Sequence, residues 1–298
     1  MKKIIIGAFA FAGLVTVFVS ALLNRIFLKT DKKKFGGDVR EEDIKWLENT
    51  GYKDIYMISQ DGFCLHAIML ENNSDNWVLL VHGYDSESRH MTGYARKYIE
   101  MGYSVLMPDQ RGYGMSGDII TTMGHLEKND MTEWLYKLTD EYGAENIVMH
   151  GVSMGAATVM LASAENIPDE VRCTVEDCGY TSSKEEFEYN IKHIVKLPPY
   201  PILWICDFLS RARYGYSILR DSDCVKAVRR SRVPICFIHG TSDTFVPYRM
   251  LGKLYEACPR KDKEILEVSG AEHTECCTKA PEIYWDTISS FIEKHFVR

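Results

Sequence analysis

The sequence predicts an α/β fold: a mostly parallel sheet with helices on both faces. Three observations carry that expectation. Trp77-Val78-Leu79-Leu80-Val81 is apolar throughout, as a strand covered on both faces should be, and Tyr103-Ser104-Val105-Leu106-Met107 and Pro234-Ile235-Cys236-Phe237-Ile238 are further strand-length runs rich in apolar residues. Between them lie segments with apolar residues three and four apart, such as Met91, Tyr94, Ala95, Tyr98 and Ile99. Strand and helix periods alternate along the chain, which is the pattern of parallel strands joined by crossover helices. The 298 residues, 46% hydrophobic and 26% charged, suffice for one large domain with a sizeable core. A net charge of -7 gives no footprint for nucleic acid.

Taken in order, the chain opens on Ile4 to Leu23, which carries no charged residue. As a helix rising about 1.5 Å per residue, that stretch would span roughly 30 Å, the apolar thickness of a bilayer. Lys2 and Lys3 precede it, and Arg25, Lys29, Lys32, Lys33 and Lys34 follow. The expectation is a single-pass membrane anchor within residues 1–30, with a cleaved signal peptide and secretion as the alternative. The larger positive cluster after the segment would hold the rest in the cytoplasm, whereas short N-terminal anchors often run the other way, so the side stays open. Residues 31–51, charged and glycine-bearing, read as a linker.

The globular part is expected over 52–298. Ile55-Tyr56-Met57-Ile58 and Leu65-His66-Ala67-Ile68-Met69-Leu70 flank Asp61-Gly62, a hairpin signal. The apolar strands named above follow, with a helix over roughly Leu126 to Tyr142 and a further strand at Cys173-Thr174-Val175. The stretch from Tyr180 to Ser231 breaks the alternation. It is apolar (Phe187, Ile191, Leu203, Trp204, Phe208), is divided by Pro198, Pro199 and Pro201, and carries no strand-like run. It reads as a helical cap inserted at about 181–231. Glu264-Ile265-Leu266-Glu267-Val268 is the last strand, and the closing helix places Tyr284, Ile288 and Phe291 on one face. The nine cysteines, at 64, 173, 178, 206, 224, 236, 258, 276 and 277, are odd in number and scattered. They read as buried thiols rather than a disulfide framework or a metal site.

The chemistry centres on Gly151-Val152-Ser153-Met154-Gly155, preceded by β-prone Ile147-Val148-Met149 and followed by Ala156 and Ala157. This is G-x-S-x-G between a strand and a helix. A serine on such a turn projects its hydroxyl from the sheet edge, and glycines two residues away avoid a clash. A serine hydroxyl is a weak nucleophile near neutral pH. It needs a base within hydrogen-bond reach and a carboxylate to fix that base's tautomer. Asp243 follows the strand ending at His239-Gly240, and His273 follows the last strand, so the order Ser153, Asp243, His273 is complete. Both fall at carboxyl ends of parallel strands, where open α/β sheets build their sites. Asp177 is a rival acid. His82, His150 and His239 also end strands, but each precedes a glycine and reads as loop structure. Two backbone N–H groups, of Met154 and of Tyr84 in His82-Gly83-Tyr84, are the expected oxyanion donors. Asp109 and Arg111 read as braces of the neighbouring loop.

On His82-Gly83-Tyr84, Asp109-Gln110-Arg111-Gly112, the serine turn, Asp243 and His273, residues 52–298 resemble the α/β-hydrolase superfamily. Within it, the chain looks most like bacterial membrane-anchored serine hydrolases related to dienelactone-hydrolase-like esterases and prolyl-oligopeptidase catalytic domains. Gly124-His125-Leu126-Glu127-Lys128-Asn129-Asp130 is similar to a Gly-x-x-Glu-x-x-Asp segment of such proteins. The resemblance implies an eight-stranded sheet and hydrolysis through an acyl-enzyme with no metal or cofactor. The expected activity is cleavage of small-molecule carboxylic esters or other acyl substrates. The alternatives are an amidase or peptidase with the same residues, and a non-catalytic membrane-tethered binding module.

Overall fold

The computed structural model describes residue 13 and residues 16–23, 39–117 and 120–296. Its frame is an eight-stranded sheet of order β1-β2-β4-β3-β5-β6-β7-β8. The strands are β1 (Lys53–Ile58), β2 (Cys64–Leu70), β3 (Asn76–Val81), β4 (Ser104–Pro108), β5 (Asn146–Val152), β6 (Val171–Asp177), β7 (Ile235–Gly240) and β8 (Glu264–Val268). β1 and β2 form the expected hairpin, and β2 meets β4 antiparallel. Every other pairing is parallel. This is the α/β-hydrolase fold that the alternation and the motifs imply.

The two-residue period of the strands divides the core into two layers. Trp77, Leu79 and Val81 of β3 join one cluster with Met131, Trp134, Leu135 and Leu138 of α3 (Glu127–Tyr142) and Val159 and Ala162 of α4 (Met154–Ala162). Val78 and Leu80 point the other way, into a cluster with Ala95 and Tyr98 of α2 (Thr92–Glu100) and Tyr284, Ile288 and Phe291 of α10 (Pro281–His295). Both faces are therefore covered, which is why the central strands lack polar alternation. α4, directly after Ser153, is buried along its whole length. Its small residues let it lie against the sheet centre, and that fixes the turn before it.

Between β6 and β7 stand α5 (Ser183–His193), α6 (Pro199–Tyr214) and the short α7 (Cys224–Val228), inside the stretch read as a cap. The Ser182 side chain caps α5 by accepting from the Glu185 N–H. After β7 come α8 (Arg249–Ala257) and α9 (Cys276–Lys279).

Two N-terminal expectations change. Part of the stretch read as a linker is α1 (Glu41–Thr50). Glu41, Glu42 and Asp43 favour its N-terminus electrostatically, and Leu47 buries in the layer of α2 and α10. The membrane-spanning helix expected over Ile4–Leu23, with the single-pass anchorage and membrane partner built on it, is overturned. Among the described residues no helix is long and apolar enough to cross a membrane. Most of that stretch lies outside the described residues. Its described end, residues 16–23, is helical and packs on protein. The Cys206 thiol of α6 donates to the Ser20 carbonyl at 3.2 Å, and Leu23 buries beside Leu203 and Cys206. Apolar length predicted a span, but part of that length is spent on a protein contact.

Candidate active site

Ser153 stands at the carboxyl end of β5 with φ 58° and ψ -117°, a strained backbone for a residue with a Cβ. The surroundings hold it there. The Ser153 N–H donates to the Asp177 carbonyl at 2.8 Å, and its own carbonyl accepts the first helical bond, from the Ala157 N–H at 3.1 Å. A Cβ on Gly151 would lie 2.2 Å from the Gly155 carbonyl oxygen, and one on Gly155 would lie 2.1 Å from the Val81 oxygen. Both glycines are therefore required by close backbone approach.

The structure brings Ser153, His273 and Asp243 into one hydrogen-bonded chain. Ser153 Oγ is 2.9 Å from His273 Nε2, and His273 Nδ1 is 2.7 Å from Asp243 Oδ2. The geometry fits Nδ1–H donating to the carboxylate, which leaves Nε2 to accept from the serine. The other carboxylate oxygen of Asp243 accepts from the Phe245 and Val246 N–H groups, each at 2.9 Å. Burial pushes the Asp243 carboxyl up, but hydrogen bonds from His239 and His273 outweigh it and hold the group at about 2.

That depression links folding to acid. A carboxyl whose folded pKa lies below its ordinary 3.8 contributes stability that is complete above about pH 4 and is lost as pH falls toward 2. Between pH 5 and pH 3 the wild type should lose about 1 kcal/mol more unfolding free energy than Asp243→Asn. Urea titrations at the two pH values check this. Equal losses in the two proteins would mean that the carboxylate is not held down by its histidines.

His239 is the residue that the sequence reading undervalued. Its Nε2 lies 3.2 Å from Asp243 Oδ2 and donates to the Val246 carbonyl at 3.0 Å. Asp243 thus carries an imidazole on each side. Burial lowers the pKa of His239, while the hydrogen bond to Asp243 and the charge of Glu176 raise it further than burial lowers it. The available signal was the His-x-x-x-Asp spacing of 239 and 243 at one strand end. His82 and His150 are structural. Burial drives His82 down to about 4, and its Nε2 accepts from the Gln110 N–H at 2.9 Å. Burial takes His150 down to about 3, between the hydroxyls of Tyr98 and Tyr284.

Asp177, the rival acid, is fully buried and bonds elsewhere: its Oδ2 accepts from the Tyr284 hydroxyl at 2.8 Å. Burial raises it to about 6. Asp109 accepts from the Ser88 and Met115 N–H groups and contacts His66 Nδ1 at 2.7 Å. Arg111 forms a fork on Asp130 at 2.8 and 2.7 Å. Glu127 accepts from the backbone of Thr122 and Gly124. The Gly124–Asp130 segment is therefore a polar brace, and Thr121 of the same loop contacts the Met154 sulfur at 3.3 Å.

Tyr84 and Met154, the expected oxyanion donors, flank the serine. Met154 opens α4, so its N–H has no partner within the helix, and the positive helix end faces Ser153. Cys178, Asp243 and His273 offer three possible metal-ligand atoms within 4.8 Å of one another. Burial pushes the Cys178 thiol well up, and His273 Nδ1 is engaged by Asp243.

Two cavities meet at Ser153. The larger, about 980 Å³, is also lined by His273, Thr274, Tyr94 and Trp285. The smaller, about 70 Å³, is lined by Met154, Tyr180, Glu186, Phe187 and Asn190. Tyr84 and Phe245 border both.

Residues 76–201 match a family model described as the alpha/beta hydrolase fold. The chain is 27% identical to the uncharacterized protein YqkD of Bacillus subtilis (strain 168), over 98% of each chain. It is 32% identical over 97 residues to a thermostable monoacylglycerol lipase of Bacillus sp. (strain H-257), covering 31% of this chain and 36% of the lipase. Among solved structures, the Pyrococcus furiosus esterase Pf2001 superposes with a TM-score of 0.70 at 25% identity, covering 85% of this chain and 96% of the esterase.

Proposed function

This chain is a member of the α/β-hydrolase superfamily, and on that premise we propose that it is a serine hydrolase cleaving small-molecule carboxylic esters through an acyl-enzyme. The observation that carries this reading is the hydrogen-bonded series Ser153–His273–Asp243, at 2.9 and 2.7 Å, on a turn whose strain the two glycines permit. The similarity to an esterase and to a lipase favours esters over amides. A non-catalytic binding role would leave the strained serine and its aligned base without a purpose.

In the proposed reaction His273 Nε2 takes the Ser153 proton as Oγ attacks the acyl carbon. Asp243 stabilises the resulting imidazolium and keeps its ring in place. The Met154 and Tyr84 N–H groups receive the charge on the tetrahedral oxygen. Collapse expels the alcohol, which takes the proton from His273. Water, activated by the same histidine, then releases the acid and restores the serine.

A fluorophosphonate probe tests the reading on the full chain. Wild type should be labelled at Ser153, as located by peptide mass, and should release p-nitrophenol from p-nitrophenyl butyrate. A folded wild-type protein that neither labels nor turns over would overturn it.

A further inference from the structure

We propose that the two cavities at Ser153 divide the substrate unequally, so that the enzyme takes a short acyl group on a bulky leaving group. The inference rests on the hydrolase reading and deepens it. Its first premise is where the proton must go. His273 returns the serine proton to the departing oxygen, so the leaving group lies on the side that His273 lines. That side is the 980 Å³ cavity, near the upper end of the roughly 300–1,000 Å³ usual for small-molecule sites. The 70 Å³ cavity also reaches Ser153 but lacks His273. With the leaving group on the His273 side, the acyl chain takes this second cavity.

The second premise is size. The cavity on the acyl side has about 70 Å³ against about 980 Å³ on the other, less than a tenth of the space. The walls are not free to yield. Tyr180 and Phe187 are 2% and 3% exposed, within the cluster that α4, α5 and α6 share. Tyr180 is further fixed by its hydroxyl, which donates to the Met123 carbonyl at 3.1 Å.

The third premise is the chemistry of the remaining wall. Glu186 and Asn190, one turn apart on α5, join through Asn190 Nδ2 and Glu186 Oε1 at 2.7 Å. Glu186 Oε2 and Asn190 Oδ1 are buried without a hydrogen-bond partner among the described residues. Burial raises the Glu186 carboxyl to about 8. A longer alkyl chain must either displace α5 or lie against these unpaired polar atoms, and both are unfavourable.

The test is a series of p-nitrophenyl esters from acetate to decanoate on the full chain, read as kcat/KM, beside labelling by a fluorophosphonate probe with a short alkoxy arm. We expect a maximum between acetate and butyrate and a fall of at least tenfold at octanoate. Phe187→Ala, which enlarges the small cavity, should raise the octanoate-to-butyrate ratio at least fivefold. 2-Naphthylmethyl acetate, whose alcohol is about as poor a leaving group as ethanol, should be cleaved at least tenfold better than ethyl acetate, and no preference would overturn the leaving-group half of the inference. Normal labelling with octanoate equal to or better than butyrate would overturn the inference and leave the hydrolase reading standing. Absence of both labelling and turnover would instead remove the reading beneath it. If Phe187→Ala does not fold, the wild-type series still decides.

Discussion

Ser153→Ala should lower kcat on p-nitrophenyl butyrate by about 10⁴–10⁶-fold while leaving the protein folded. The loss is large because the covalent route disappears altogether, and His273 then has no activated oxygen to serve. The activity that remains should come from the proposed oxyanion donors and bound water, which the change leaves in place. Folding should hold because the hydroxyl's bond is to His273, at the edge of a cavity, while the backbone bonds of Ser153 to Asp177 and Ala157 do not involve the side chain. Alanine carries the same Cβ at φ 58°, so the backbone strain neither grows nor falls. Steady-state rates and thermal melting check both halves. A variant that keeps activity within tenfold of wild type would sink the assignment of the nucleophile.

Asp243→Asn should cost about 10⁴-fold in kcat, against less than tenfold for Asp177→Asn. The reason is tautomeric. An asparagine amide facing His273 Nδ1 favours the ring form with its proton on Nε2, and that form cannot accept from Ser153. The N–H groups of Phe245 and Val246 hold the side chain at 243 in place, so geometry survives while the proton is misplaced. Asp177 has no bond to His273; its side chain meets Tyr284 at 2.8 Å, and burial already disfavours its charge. A neutral amide there removes a charge that the site does not use. If Asp177→Asn were the crippling change and Asp243→Asn the harmless one, the acid would be misassigned.

How much was legible differs from residue to residue. Ser153 was legible because the constraints on it are local: a β-prone run, two glycines within two residues and small residues after. His273 was legible through its order in the chain. Asp243 and Asp177 were both plausible acids, since each ends a parallel strand and sequence carries no direction for a side chain. The N-terminal stretch was misread because hydropathy reports the length of an apolar run and not what covers it. There, the Ser20 carbonyl and Leu23 meet α6.

By itself the sequence determined the fold class and the serine turn, because two-sided burial, strand–helix alternation and the need for glycine all act over a few neighbouring residues. Only the tertiary structure decided the rest. It put Asp243 rather than Asp177 beside His273, set His239 against the same carboxylate, and placed Glu186, Phe187 and Asn190 of α5 in the wall of a small cavity beside Ser153. Each of these depends on where strands β5, β6, β7 and β8 lie in the sheet and how α5 returns over them. Those are distances between residues far apart in the chain, and they arise only when the two layers of the core pack.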